Sequence, residues 1–136
     1  MNNNLLDEVY KVINSGNCFS CNAELPNKHN HEIYYTSQIL ECKCGFKFVT
    51  YSRQLTLPIL NMIFVLEFNY NNDLTKISVS YNSLHLFTAL KLNHVFSYSC
   101  DVNIFSMIVD LVTDTDLTFE KLRNFAYKIN KMYIFQ

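Results

Sequence analysis

Cys18-Phe19-Ser20-Cys21 is followed, after twenty residues, by Cys42-Lys43-Cys44-Gly45. Two close cysteine pairs with a hairpin's length of chain between them constrain this sequence more than any other feature. Brought together on short turns, four thiolates form a tetrahedral cage suited to zinc, which accepts soft ligands and has no geometric preference of its own. Gly45 suits the second turn because it takes positive φ without a Cβ clash. The second pair is tighter than usual, with one residue between its cysteines, and this leaves the ligand set open. His29 and His31 lie between the pairs, and either can replace a cysteine. A redox Cys-x-x-Cys is disfavoured, because nothing around Cys18 reads as a strand feeding a helix in a βαβ unit. Iron–sulfur ligation by the same four sulfurs is an alternative, but the spacing favours zinc over any cluster pattern. The favoured ligands are Cys18, Cys21, Cys42 and Cys44. Four protein ligands leave no open position for water, so the metal is expected to be structural. Such a site contributes folding free energy directly, about 10–16 kcal/mol in small zinc modules.

The chain has 136 residues, nearly half of them hydrophobic, and a formal net charge of −1. That length suits one domain with a real core, 1–136, made of a zinc-binding portion over 1–52 and a sheet-and-helix portion over 53–136. No basic run supplies the electrostatic footprint of a nucleic-acid binder at whole-chain level. Metal-holding cysteines fit a reducing, intracellular and cytoplasmic setting. The N-terminus lacks the regions of a signal peptide. The longest apolar stretch, 55–68, is too short to span a bilayer and is broken by Pro58, Asn61 and Glu67. Asn, Phe and Tyr number 17, 11 and 9, while Gly, Pro and Arg number two each. The enriched types have A/T-rich codons, so an A/T-biased genome accounts for the asparagine clusters without a binding role.

Residues 4–14 read as a helix with Leu5, Val9, Val12 and Ile13 on one face, and Gly16 as its left-handed cap. Residues 32–41 and 46–52, rich in Ile, Tyr, Phe and Val, read as strands flanking the second cysteine turn. Residues 62–70 and 75–81 alternate around Asn71-Asn72-Asp73 and form the clearest hairpin, with Ile77, Val79 and Tyr81 inward. Asn82-Ser83 predicts a further tight turn into 84–90, and 91–93 another into 94–100. Residues 101–114 carry a helical stripe of Val102, Phe105, Val109 and Val112, yet their Val, Ile and Thr content favours a strand. Thr118 caps a helix to about Met132, with Phe119, Leu122, Phe125, Ala126 and Ile129 on its apolar face. The expected fold is α+β: a zinc-ribbon hairpin continuing into a mostly antiparallel sheet, with a short N-terminal helix and a C-terminal helix packed on the sheet.

The pattern Cys18-x-x-Cys21…Cys42-x-Cys44-Gly45 followed by an aromatic strand resembles the zinc-ribbon group. More loosely, the chain resembles small uncharacterised zinc-ribbon proteins of tailed bacteriophages with A/T-rich genomes. The resemblance covers about the first 52 residues. It implies a fold element and a viral setting but no particular activity, since zinc ribbons serve transcription, translation, DNA processing and scaffolding.

With glycine only at positions 16 and 45, no phosphate-cradling loop of the Walker or dinucleotide type can be built. No Gly-x-Ser-x-Gly elbow exists. His85 and His94 read as half-buried, hydrogen-bonded strand residues, and Cys100 as a small buried hydrophobe outside the metal site. Asp110, Asp114 and Asp116 lack the pattern of a calcium loop and read as a solvated turn. Lys43, Lys47 and Arg53, interleaved with Phe46, Phe48 and Tyr51, are the one basic-aromatic stretch able to meet a single strand. The expectation is a non-enzymatic, zinc-stabilised viral accessory or adaptor protein that binds another protein. The alternative is a small nucleic-acid-associated factor that uses Lys43, Lys47 and Arg53.

Overall fold

The computed structural model describes residues 4–25, 39–91, 94–97, 102–114 and 117–134. His29, His31, Cys100 and Asp116, and most of the strand expected at 32–41, lie outside these residues. So does the side chain of His94.

Helix α1 (Asn4–Asn14) buries Leu5, Leu6 and Val9. It ends in a Schellman motif: Gly16 N donates to Ile13 O at 2.9 Å, and Asn17 N reaches Val12 O at 3.4 Å. Gly16 holds φ at 88°, which a Cβ would strain. The chain therefore leaves the helix abruptly and enters the first cysteine turn two residues later.

Seven strands follow in a meander, each paired antiparallel with the next: β1 (Ile39–Glu41), β2 (Lys47–Val49), β3 (Gln54–Ile59), β4 (Met62–Phe68), β5 (Leu74–Tyr81), β6 (Leu84–Leu90) and β7 (His94–Ser97). Period-two alternation puts one row of partners, Phe48, Leu55, Leu66, Ile77 and Ala89, on a single buried face. The row Thr56, Val65, Ser78 and Thr88 lines the opposite face, where Ser78 and Thr88 share a hydroxyl hydrogen bond of 3.1 Å. The β4–β5 hairpin and the Asn82-Ser83 turn stand where the alternation places them. Both turn residues have positive φ, 50° and 71°, as a type I′ turn requires.

Strand β3 is not separable in the sequence, because its residues merge into the apolar stretch that continues through β4. Pro58 is tolerated there for a topological reason. Strand β2 pairs only with residues 54–56 of β3, so Pro58 stands beyond the end of β2, where no strand needs its missing N–H.

Residues 101–114 correct an expectation: Val102–Val112 form a helix, α2, not a strand. Ile104, Ile108, Leu111 and Val112 are buried at spacings of four, three and one, the period of a helical face. The helix penalty of β-branched residues is a few tenths of a kcal/mol each, and burying that stripe outweighs it. Helix α3 (Phe119–Ile134) lies on the sheet. Its Phe125 ring meets Phe64 and Phe87 edge-on, at centroid distances of 6.3 and 6.1 Å. Thr118 Oγ1 accepts from Lys121 N at 3.3 Å, the expected cap. Phe119 N, another unpaired donor of that first turn, is met at 2.9 Å by the Glu8 carboxylate of α1. No helix among the described residues is long and apolar enough to cross a membrane.

Candidate metal centre

Both cysteine turns are shaped by backbone hydrogen bonds. In the first, Cys18 N donates to Ala23 O at 2.6 Å and Asn22 N to Cys18 O at 3.0 Å, with Asn22 left-handed at φ 68°. A bridge between Asn17 and Glu24 closes this knuckle at its base. The second lies between β1 and β2, where Cys42 N donates to Phe46 O at 2.9 Å and Gly45 N to Cys42 O at 3.0 Å. Gly45 holds φ at 108°, the conformation expected of it.

Pro58 holds the two knuckles in place. Its carbonyl accepts from Ser20 Oγ at 2.6 Å, and its ring lies beside Gly45, where an added Cβ would be in ordinary contact at 3.4 Å from Pro58 Cγ. Phe19 meets Phe119 of α3 edge-on at 4.7 Å, which ties the first knuckle to the helix start that Glu8 caps. Ser20, Pro58, Phe119 and Glu8 carried no signal of this role in the sequence. Their partners are distant along the chain, and nothing in local spacing connects them.

The Sγ atoms of Cys18, Cys21, Cys42 and Cys44 all lie within 4.8 Å of one another. Two contacts cross between the knuckles: Cys18 to Cys44 at 3.6 Å and Cys21 to Cys42 at 3.5 Å. A tetrahedron with metal–sulfur bonds of about 2.3 Å has edges of about 3.8 Å, so these two contacts lie near that edge length and the other pairs lie within 4.8 Å. They are far too distant for disulfides, and all four cysteines are free. Cys18 and Cys42 belong to the buried core, whereas Cys21 and Cys44 are exposed. Ser20 N and Cys21 N point at Cys18 Sγ from 3.3 and 3.4 Å and would disperse the charge of a bound thiolate.

Burial pushes the Cys18 thiol up to about 12, and desolvation also raises Cys44. Cys21 is lowered, chiefly by the Ala23 amide. A metal requires thiolates, so Cys18 and Cys44 must each release a proton when it binds. Affinity therefore rises with pH, by about two log units per unit across the neutral range from these two groups alone. Chelator competition at pH 6.5, 7.5 and 8.5 measures this; a flat profile would contradict it. Metal-free stability has the opposite sign. The raised Cys18 pKa stabilises the fold below the ordinary thiol value and loses that effect as pH climbs toward about 12.

The other expected site residues lie on different elements. Lys43 is exposed in the second knuckle and Lys47 opens β2, but Arg53 lies at the far end of the β2–β3 turn. Lys47 pairs with Thr56, three residues from Arg53, which at about 3.3 Å per residue separates the two by about 10 Å along the strand. Arg53 Nε donates to Asn69 O at 3.0 Å. Asp114 pairs with Lys121 at 2.7 Å. His85 is exposed, not half-buried, and its Nε2 meets Thr88 Oγ1 at 2.8 Å. A register shift beside it, which pairs Val79 with Phe87 and Ser80 with His85, buries both Leu86 and Phe87 and leaves His85 outward.

Compared with known proteins, the chain matches no family model, no curated protein and no solved structure. The site is a four-cysteine cage, half set into the core, able to hold a metal ion.

Proposed function

We propose that this chain is a non-enzymatic, zinc-stabilised adaptor that acts by binding another protein. The four-sulfur cage carries the reading. Four thiolates of tetrahedral spacing, with two of them in the apolar core, suit zinc as a structural ion and leave no ligand position for substrate. In this reading the cysteine hairpin is a zinc ribbon and the setting is intracellular. A viral origin rests on the sequence resemblance and the A/T-biased composition.

A protein partner is favoured over nucleic acid by the distribution of exposed groups. Lys43, Lys47 and Arg53 are spread over a knuckle, a strand and a turn, and a tetrathiolate zinc centre beside Lys43 would carry about two negative charges. At the other end of the sheet, Tyr51 and Tyr70 are 55% and 89% exposed on neighbouring turns, which Arg53 links through its bond to Asn69. Exposed tyrosines supply amphipathic contact area of the kind that protein interfaces use.

Labelled single-stranded and duplex oligonucleotides titrated at two salt concentrations test the choice. The expected result is weak binding with a shallow salt slope, since each neutralised phosphate adds only about 0.7–0.9 to that slope. Submicromolar, steeply salt-dependent binding that is abolished by Lys43→Ala, Lys47→Ala and Arg53→Ala would put the nucleic-acid reading first.

A further inference from the structure

We propose that the cage is also a thiol switch: hydroperoxides convert it into two disulfides across the knuckles, Cys18–Cys44 and Cys21–Cys42, and expel the metal. This inference rests on the zinc reading above and adds a mode of regulation to it.

Exposure and contact together set the pairing. Cys21 and Cys44 are exposed, so a small oxidant reaches them first. Cys18 and Cys42 are buried, and Cys18 is shielded further by two amide hydrogen bonds. Each exposed sulfur touches a buried one of the opposite knuckle, at 3.5 Å for Cys21–Cys42 and 3.6 Å for Cys44–Cys18. Of the three connectivities open to four cysteines, only this one joins the sulfurs in those two contacts. Pairing within the knuckles would force a disulfide across Cys42-Lys43-Cys44, a turn already closed by Gly45 N donating to Cys42 O at 3.0 Å.

The chemistry balances without a further reactant. The thiolate of Cys21 or Cys44 attacks one peroxide oxygen; the S–O bond forms, the O–O bond breaks, and the departing hydroxide takes a proton to leave as water. The sulfenic acid is a poor metal ligand. The touching buried thiolate then attacks its sulfur, forming S–S and breaking S–O, with a second hydroxide protonated to water. For the whole cage, four thiolates, two molecules of hydrogen peroxide and four protons give two disulfides, four waters and the free divalent ion. Each disulfide accounts for two electrons transferred to one peroxide.

The test treats zinc-loaded full-length protein with hydrogen peroxide. Metal content is measured before treatment and zinc release during it, with the disulfides mapped afterwards under conditions that block exchange. Cleavage after Phe19 separates Cys18 from Cys21, and cleavage after Lys43 separates Cys42 from Cys44, so all three connectivities are distinguishable. The expected result is one zinc released per two peroxides consumed, with Cys18–Cys44 and Cys21–Cys42 peptides. Reductant with zinc restores the starting metal content. A chain that carries no zinc before treatment overturns the metal reading, and this inference with it. Zinc present but retained, another connectivity, or sulfinic and sulfonic acids on Cys21 and Cys44 without disulfides would overturn the switch and leave the metal reading standing.

Discussion

Cys18→Ser is expected to abolish stoichiometric metal binding and the cooperative unfolding of the chain. Cys18 is fully buried within the core that also holds Leu5, Leu6, Val9 and Phe46. Serine presents a hard hydroxyl that stays protonated and is shorter than a thiolate, so it does not complete the tetrahedron. A structural zinc contributes about 10–16 kcal/mol in small modules, whereas a whole domain is stable by only about 5–15 kcal/mol. Loss of the metal therefore outweighs the remaining margin. The serine hydroxyl can still accept from Ser20 N and Cys21 N, so the loss comes from the missing ligand rather than from an unsatisfied polar group. Cys44→Ser removes a ligand without burying a polar group, because Cys44 is exposed. It should lower metal content while retaining more structure than Cys18→Ser. Metal analysis and thermal denaturation of both variants check this ordering. A Cys18→Ser protein with unchanged zinc and unchanged Tm would show that the cage is not holding the fold.

Phe64→Ala is expected to destabilise the chain by about 3–5 kcal/mol through the lost burial and the cavity left behind. Phe64 is fully buried, pairs across β4 with Leu57 and Val79, and supports Phe125 of α3. Its neighbour Ile63 points to the opposite face and is 38% exposed, so Ile63→Ala should cost far less, about 1 kcal/mol or under. Denaturant unfolding of the pair gives the difference directly. Equal losses would contradict the assignment of the two sheet faces. Phe64→Ala is also expected to bind as much metal as the parent chain while it stays folded, because Phe64 supplies none of the four sulfurs.

What could be read from the sequence depended on whether the controlling interaction was local. Gly16 announced the end of α1 because a left-handed cap needs glycine. The alternation of Ile77 and Val79 with Lys76 and Ser78 announced a strand, since period two is a property of single strands. The four cysteines announced their own clustering through spacing alone. Residues 101–114 showed a helical stripe, yet a strand was favoured because their β-branched residues express a local preference, while the burial that decides for helix α2 is not local. Strand β3 was hidden because two consecutive buried strands read as one apolar stretch, and the turn between them uses Leu60 at φ 58°, an unusual residue for that conformation. The supports of the metal site were illegible for the same reason. Pro58 matters through Ser20, which lies 38 residues away, and Glu8 through Phe119, which lies 111 residues away.

In the proposed reading a zinc ion held by Cys18, Cys21, Cys42 and Cys44 completes this fold. Native mass spectrometry with elemental analysis, on protein purified without chelator, tests it most directly. The expected result is one zinc per chain, with the four sulfurs protected from thiol reagents until the metal is removed. A folded, metal-free chain whose four thiols react at once, or one that carries iron, would contradict it.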